Sequence, residues 1–556
     1  MTIFRQTLFV LLVVFLSRTA FGSELPNQAA IASAHPLATQ AGFEALNQGG
    51  NAFDAAVAVS AALAVVEPSG SGLGGGGFWL LHRAEDGFQT MVDGREKAPA
   101  AALRDMYLDA QGNVNKQLSL DGPLAAGIPG VPAALDHLNQ NYGRLTLAQN
   151  LAPAIRYAKQ GFEVSKHYQQ LVGFRLNTLN LSPEASATFL DNQQVPKLGD
   201  LIIQANLANT LEHIAKHGRA GFYQGDVAEK LIAGVQQNGG IWTQQDLLNY
   251  QVKERAPIIG HYQGYKITSA APPSSGGIAI MSMLNQLEHL PFETASPVQK
   301  KHLLAEVMRR AYFDRSRYLG DSDFVNVPTQ QLISVAYGKT LAASINQTQA
   351  SESKVLEGGD FAKGEDTTHF SIIDHEGNRV SATLSINYPF GAAFVPEGTG
   401  VLLNDEMDDF SAQIGSTNVY GLVGNEANAI AANKRPLSSM SPTFIENDAQ
   451  LMVIGTPGGS RIITMVLLGI LDFVDGRSAQ EIVSTPRFHH QYLPNAIQVE
   501  SVGIPQNDID KLKQHGHTVK PLSRQYGNMQ IVIKNKKTQT LSAASDPRGE
   551  GWSLVQ

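Results

Sequence analysis

Hydrophobic residues between positions 35 and 66 recur with the spacing of two successive helices. The segment His35–Thr39 leads into the first, which is predicted to reach about Gln48 and to end at the Gly49-Gly50 pair, because glycine is favoured just beyond a helix C-terminus. Asn51 can cap the second helix, Ala52–Val66, which is rich in alanine and valine on every side. A helix without a polar face is predicted to be buried.

Farther along, the pattern divides the chain into a helix-rich front and a strand-rich back. After two short apolar strands at 78–82 and 90–93, helical spacing predicts helices at Gly130–Gly143, Leu147–Gly161, Leu201–His217, Gly225–Asn238 and Ser296–Leu319. Residues 351–366 are polar and contain glycine, which is typical of a loop. Beyond them, alternation predicts a hairpin of Thr367–Ile373 and Arg379–Ile386, and later elements are expected at Met452–Gly455 (strand), Arg461–Phe473 (helix), Gln530–Lys534 and Leu541–Ala544 (strands).

The first 22 residues have the pattern of a secretory signal peptide. Arg5 precedes a short apolar run, Leu8–Leu16, and the small residues of Ala20-Phe21-Gly22 follow. We expect cleavage after Gly22 and export to the periplasm or the medium. The apolar run is shorter than the roughly 20 residues that span a bilayer, and no later stretch is long and apolar enough.

Composition excludes several classes of function. The chain of 556 residues contains no cysteine, which rules out a cysteine nucleophile and any disulfide. Its formal net charge is −8, and it has no run rich in lysine and arginine, so a nucleic-acid partner is not expected. No cofactor is indicated by any motif.

A candidate nucleophile lies where the loop 351–366 gives way to the strand-like run. Cleavage between Asp366 and Thr367 would give Thr367 a free α-amine beside its own hydroxyl. An α-amine has a reference pKa of about 7.7–8.0, so it is partly neutral near pH 7 and can serve as the general base for the hydroxyl.

Two glycine-rich segments have different interpretations. Gly72–Gly77 contains the spacing of a dinucleotide motif, but a helix precedes it and a strand follows, the reverse of what the motif requires. These glycines are expected to allow a tight chain reversal or a close backbone approach. Gly458 and Gly459 stand between a strand and a helix, where two N–H groups form either an oxyanion hole or an ordinary turn.

Other polar clusters leave alternatives open. Asn404–Phe410 contains four carboxylates but lacks the alternation and central glycine of an EF-hand loop. Glu406 and Asp409 could converge on one cation such as a substrate ammonium, or the segment could be a solvated acidic turn. His489-His490 has no accompanying zinc motif, and a structural role is favoured over a metal site. No G-x-S-x-G motif supports a serine hydrolase.

Together these segments resemble the γ-glutamyltranspeptidase family of N-terminal-nucleophile hydrolases over almost the whole mature chain. The resemblance rests on the segments His35–Thr39, Gly49–Ala52, Asp54–Ala56, Gly72–Gly76, Arg95-Glu96, Ala98-Pro99, Thr367–His369, Met407–Phe410, Pro436–Pro442, Pro457–Ser460 and Asp546–Arg548. It implies an α+β fold, a four-layer αββα sandwich, in which a large subunit (23–366) and a small subunit (367–556) form an interleaved heterodimer after self-cleavage.

The resemblance also implies a site and a reaction. Thr367 would attack its own peptide bond and then the γ-glutamyl amide of glutathione or a similar donor, and water or an amino acid or dipeptide acceptor would take the acyl group. Arg95 would hold the α-carboxylate with Ser438 and Ser439, and Glu406 and Asp409 would hold the α-ammonium. The remaining implied positions are Gly458 and Gly459 at the oxyanion hole, Asn387 and Ser385 near the nucleophile, and Tyr420 in a lid loop, Ile414–Asn428.

Two other functions compete with this one. A cephalosporin or glutaryl acylase would share the scaffold and the nucleophile, but a glutaryl group has no α-ammonium for Glu406 and Asp409. A binding protein on an inactive scaffold would not need Thr367, Asn387 and the Gly458-Gly459 pair. The sequence departs from many relatives at Ser385, where a threonine is usual, and its Glu406 stands at a position that varies between glutamate and glutamine.

Overall fold

The computed structural model describes residues 28–353 and 367–556. The expected signal peptide, residues 1–22, lies outside the described residues, as do Asp366 and most of the loop 351–366. No helix in the two described ranges has the length and apolar character needed to cross a bilayer.

The strands of the described chain are numbered in sequence order. They are β1 (Ala30–Ser33), β2 (Gly76–His82), β3 (Gln89–Asp93), β4 (Phe162–Glu163), β5 (Leu201–Ile202), β6 (Lys253–Arg255), β7 (Ile258–Tyr262), β8 (Tyr265–Ser269), β9 (Thr368–Ile373), β10 (Arg379–Ser385), β11 (Thr443–Glu446), β12 (Gln450–Gly455), β13 (Phe488–His489), β14 (Ile497–Val499), β15 (Val519–Pro521), β16 (Gln530–Asn535), β17 (Thr540–Ser545) and β18 (Trp552–Val555).

The helices are numbered in the same way. They are α1 (Pro36–Asn47), α2 (Ala52–Val66), α3 (Lys116–Leu120), α4 (Val131–Tyr142), α5 (Leu147–Gln160), α6 (Lys166–Leu179), α7 (Pro183–Phe189), α8 (Ala205–His217), α9 (Ala220–Tyr223), α10 (Gly225–Gln237), α11 (Gln244–Asn249), α12 (Gly276–Leu287), α13 (Pro297–Tyr318), α14 (Thr329–Leu332), α15 (Val335–Ala343), α16 (Ile462–Val474), α17 (Ala479–Ser484) and α18 (Gln506–Gln514). Short 3₁₀ turns include Glu406–Asp409 and Gly459–Arg461.

Two large sheets lie face to face between helices, which confirms the four-layer αββα sandwich. One sheet has the order β18-β1-β9-β10-β2-β3-β6 and the other β17-β16-β12-β11-β8-β7. Strands β1, β9 and β10 of the first contact β12, β16 and β17 of the second. Helices α1 and α2 cover the outer face of the first sheet, and α12 and α16 cover that of the second.

Alternation along the strands explains the layers. In β2, Trp79 and Leu81 point into the core shared with α2, whereas Phe78 and Leu80 point into the core between the sheets. Successive strand residues face opposite sides of a sheet, so a strand that is apolar throughout must be covered on both faces. The predicted burial of α2 is also confirmed, since all fifteen of its residues are buried.

Strands from the two halves of the chain alternate within the first sheet. The front-half strand β2 pairs with β10, and β1 lies between β9 and β18. The two proposed subunits therefore share one sheet and cannot be separate domains. The prediction of a helix at Leu201–His217 was wrong in its first residues. Leu201–Ile202 pairs with β4 as a strand, and the helix α8 begins only at Ala205.

Candidate active site

The β9–β10 hairpin places Thr367 beside Ser385. Thr368 pairs with Leu384 in the antiparallel ladder, so the residue before β9 lies level with the last residue of β10. The hydroxyls of Thr367 and Ser385 are 3.1 Å apart, and both residues are buried. The Ser385 hydroxyl that was predicted near the nucleophile thus lies next to the Thr367 hydroxyl.

The glycine-rich run before β2 allows backbone to pass close to this hairpin. A Cβ on Gly75 would lie 2.2 Å from the carbonyl oxygen of Ser385, and one on Gly74 would lie 2.1 Å from that of Leu402. Real Cβ atoms do not approach so closely, which confirms that these glycines serve a close backbone approach. These close approaches fix the position of β10 relative to the segment around Leu402, which leads to Glu406 and Asp409.

Arg95 and two acidic side chains form a buried charged cluster. Arg95 Nη1 lies 2.5 Å from Glu406 Oε2, and Arg95 Nη2 lies 2.5 Å from Asp409 Oδ2. Arg95 and Glu406 are almost fully buried, and the side chain of Asp409 is 13% exposed. The interpretation of this segment as a solvated acidic turn is therefore wrong, because it is a 3₁₀ turn packed inside the protein.

Burial governs the ionisation of this cluster. It raises the pKa of Glu406 to about 7, although the nearby Arg95 guanidinium acts in the opposite direction. Burial, with the Glu406 charge, also raises the pKa of Glu96 well above its usual range. Glu406 Oε2 makes the ion pair with Arg95, which leaves further lone pairs on the two carboxylate oxygens. Glu406 therefore retains acceptor capacity for a cationic ligand.

A short hydrogen-bond network connects the hairpin to the loop that contains Tyr420. The backbone N–H of Asn387 donates to Ser385 Oγ at 2.8 Å, and the Asn387 amide donates to the carbonyl of Asp405 at 3.1 Å. The Tyr420 hydroxyl donates to the carbonyl of Asn387. Since Tyr420 is buried, this loop covers the site in the structure.

These side chains line one cavity, whose empty space of about 280 Å³ includes its open mouth. Its lining contains most residues predicted from the sequence: Thr367, Ser385, Asn387, Arg95, Asp409, Tyr420, Ser438, Ser439 and Gly459. Glu406, which pairs with Arg95, and Gly458, which precedes Gly459, are not among the lining residues. The structure thus brings the predicted residues together around Thr367.

The turn between β12 and α16 presents two backbone donors. Gly458 and Gly459 have φ of +138° and +55°, and within the described residues neither N–H donates to a protein acceptor. A Cβ on Gly459 would lie 2.4 Å from the Tyr420 ring. Two unpaired N–H groups before a 13-residue helix provide a favourable environment for a developing oxyanion.

We expect Gly459→Ala to lower kcat by about 10²–10³-fold, because displacing this N–H should cost about as much as losing one oxyanion-hole donor. The added methyl group would collide with Tyr420 and would occupy a backbone conformation that favours glycine. Steady-state kinetics test this, with Gly476→Ala as a control because that glycine also has positive φ (+82°) but nothing within 4 Å of its Cβ position. Equal losses in both variants would show that backbone strain, and not the site, is responsible.

The histidines of the sequence motifs are engaged in packing. His369 hydrogen-bonds Thr383 and Ser371, and burial lowers its pKa to about 3, so it is neutral at pH 7. His489 contacts Thr464 and Gln491 through its two ring nitrogens. Neither histidine lines the cavity around Thr367.

Several residues at the site have no sequence signal. Arg315 of α13 is buried and donates to Ser439 Oγ at 3.4 Å, and Asn418 donates to Asp409 Oδ1 at 2.8 Å. Arg315 comes from a helix distant in sequence from Ser439, so no local motif marks it, whereas Asn418 lies nine residues from Asp409 within the segment Ile414–Asn428. Glu67, just after α2, lies near the start of β9, and burial raises its pKa to about 8.

Comparisons with known proteins agree with this geometry. The sequence model of the family described as "Gamma-glutamyltranspeptidase" matches residues 38–555. The glutathione hydrolase proenzyme of Escherichia coli (strain K12) is 44% identical over 531 residues, 94% of this chain and 90% of the relative. Cephalosporin acylase from Bacillus halodurans superposes with a TM-score of 0.85 at 27% identity, covering 95% of this chain and 96% of the other. Helicobacter pylori gamma-glutamyltranspeptidase gives 0.56 at 42% identity, covering 57% and 92%.

Proposed function

The chain belongs to the gamma-glutamyltranspeptidase family, and we propose that Thr367 is the nucleophile with which it attacks γ-glutamyl amides. It is a γ-glutamyl hydrolase/transpeptidase made as a proenzyme. The observation that carries the assignment of Thr367 is the cavity itself, since its lining places the Thr367 hydroxyl together with Arg95 and Asp409. A nucleophile and binding groups for a zwitterion thus line one cavity.

The glutamyl head group fits the charges of this cavity. Arg95, helped by Ser438 and Ser439, binds the α-carboxylate, since a guanidinium matches a carboxylate in a bidentate fashion. Glu406 and Asp409 receive the α-ammonium. Because Arg95 already pairs with both acids, the cluster is held ready before a donor enters.

The reaction then proceeds through an acyl-enzyme. The α-amine of Thr367 removes the hydroxyl proton, and Oγ1 attacks the γ-carbonyl carbon, whose oxygen is stabilised by the N–H groups of Gly458 and Gly459. The amide C–N bond breaks, and the leaving amine takes a proton. Water or an acceptor amine attacks the γ-glutamyl ester and releases Thr367. Ser385 and Asn387 hold the nucleophile and the cavity wall in place.

Hydrolysis of γ-glutamyl-p-nitroanilide against its glutaryl analogue tests the substrate. We expect a strong preference for the γ-glutamyl compound, because only that compound has an ammonium for Glu406 and Asp409. The acylase among the structural relatives makes the glutaryl compound the right competitor. A preference for it would contradict the proposal.

Binding of the head group is expected to weaken as the pH falls below about 7. Burial raises the pKa of Glu406 to about 7, so acidification protonates this carboxylate and removes a negative charge that faces the ammonium. The inhibition constant of L-glutamate measures binding without involving the nucleophile. It should rise several-fold per pH unit below 7, and Glu406→Gln should flatten this dependence. An unchanged slope in the variant would assign the titration to another group.

The position of the cut and the export of the chain are further proposals. Cleavage before Thr367 would give subunits 23–366 and 367–556, which associate through the shared sheet. N-terminal sequencing of the smaller product should start at Thr367, and a start elsewhere would exclude this nucleophile. Periplasmic or secreted location is supported by the signal pattern in residues 1–22, and N-terminal sequencing of the larger product should start at Ser23.

A further inference from the structure

A second and larger cleft reaches Thr367 from another side. It has a volume of about 1830 Å³ including its open mouth. Among the described residues, Thr367 is the one position that lines both this cleft and the smaller cavity. The two spaces therefore meet at the residue that is proposed to attack the substrate.

This arrangement separates the two halves of a γ-glutamyl amide. When the glutamyl head occupies the smaller cavity, the scissile bond lies at Thr367 and the amine half must extend into the larger cleft. In glutathione that half is a dipeptide with a terminal carboxylate. An amino acid or dipeptide acceptor also carries a carboxylate and must bring its amine to the same point.

Arg461 is the group in the cleft that suits such a carboxylate. It is buried, its Nε donates to Gln498 at 2.9 Å, and its guanidinium lies 5.1 Å from the centre of the Tyr526 ring. No carboxylate in the described part of the chain forms an ion pair with it. Burying a cation without a counter-charge costs free energy, so an anionic ligand would stabilise Arg461 by providing that counter-charge.

Another arginine that lines the cleft differs from Arg461 because it already has carboxylate partners. Arg548 also lines the wall, but it already pairs with Glu500 at 2.8 Å and with Asp546 at 3.1 Å. Arg461, in addition, immediately precedes α16 and belongs to the same 3₁₀ turn as Gly459. The turn that supplies the oxyanion donors therefore also positions a cation in the neighbouring cleft.

We propose that the larger cleft binds the amine half of the donor and the acceptor, and that Arg461 binds their carboxylate. This inference rests on the proposed function and deepens it, since it names the residue that selects substrates with a carboxylate beyond the scissile bond. The role is one of binding, and the bonds made and broken remain those of the γ-glutamyl transfer.

The test compares glutathione with glutathione whose C-terminal carboxylate is an amide. The wild-type enzyme should prefer the acid in kcat/KM by about 10- to 100-fold, as expected for one charge-assisted interaction. Arg461→Gln should abolish most of this preference, and Arg461→Lys, which keeps the charge, should retain part of it. Arg477→Gln, an exposed arginine beyond the other end of α16, is the matched control and should keep the full ratio.

The outcomes separate this inference from the function on which it rests. Equal use of the acid and the amide by the wild-type enzyme would overturn the role of Arg461, whatever the variants do. So would an undiminished preference in Arg461→Gln. Failure of the wild-type enzyme to hydrolyse γ-glutamyl-p-nitroanilide, whose leaving group has no carboxylate, would instead count against the proposed function itself.

Discussion

Replacing Thr367 with alanine is expected to leave the chain uncut and to abolish γ-glutamyl hydrolysis. The same hydroxyl is proposed to attack both the peptide bond before it and the substrate, so one substitution removes both reactions. Loss of a covalent nucleophile typically lowers kcat by about 10⁴-fold or more. A denaturing gel measures the cut, and release of p-nitroaniline from γ-glutamyl-p-nitroanilide measures the activity.

Two further variants make this result specific. Thr368→Val is the matched control, because Thr368 is the adjacent threonine, is buried, and does not line the cavity around Thr367. It should be cut and active. Thr367→Ser keeps a hydroxyl and should still be cut. Normal cleavage of Thr367→Ala, or an uncut Thr368→Val beside a cut Thr367→Ala, would mean that another residue is the nucleophile.

Sequence patterns predicted the local elements around this nucleophile well. The start of α2 follows from its cap, since Asn51 accepts hydrogen bonds from the first turn of this helix, and α1 ends just before the Gly49-Gly50 pair that was predicted to stop it. The β9–β10 hairpin follows from alternation on either side of a polar turn. In each case the signal lies within a few residues of the feature that it predicts.

Long-range neighbours could not be predicted from such signals. Nothing local shows that β18, at the end of the chain, pairs with β1, or that β5 pairs with β4 and shortens the predicted helix at 201–217. The four layers came from family resemblance, not from periodicity. Likewise, Arg315 joins the site only through the tertiary fold, and the acidic turn could not be placed inside the protein before its partner Arg95 was known to be buried.

Replacing Arg95 with glutamine is expected to lower both the stability of the protein and its affinity for the substrate. Removing this guanidinium leaves Glu406, Asp409 and the nearby Glu96 without their shared cation in a buried site. Breaking a buried ion pair by removing one partner costs about 3–5 kcal/mol of stability. Loss of the α-carboxylate contact should also raise KM and lower kcat/KM by about 10- to 100-fold.

The stability loss of Arg95→Gln should depend on pH with a definite sign. Burial raises the pKa of Glu406 to about 7 even though Arg95 acts to lower it. Removing Arg95 therefore raises this pKa further above the value of about 4.3 for an unfolded glutamate. A carboxyl whose pKa is raised by folding stabilises the folded state at low pH, and this stability is lost as the pH rises through the folded pKa. The deficit should therefore be larger near pH 8 than near pH 5.

Urea unfolding midpoints of the wild-type protein and the variant at the two pH values measure this difference. Arg83→Gln is the control, since Arg83 pairs with Asp86 at the exposed surface and should change stability little at either pH. A deficit that is equal at both pH values would show that Arg95 contributes packing and not charge neutralisation. If KM is also unchanged, the glutamyl carboxylate must be bound elsewhere, because a buried guanidinium that touches the substrate cannot be lost without weakening its binding.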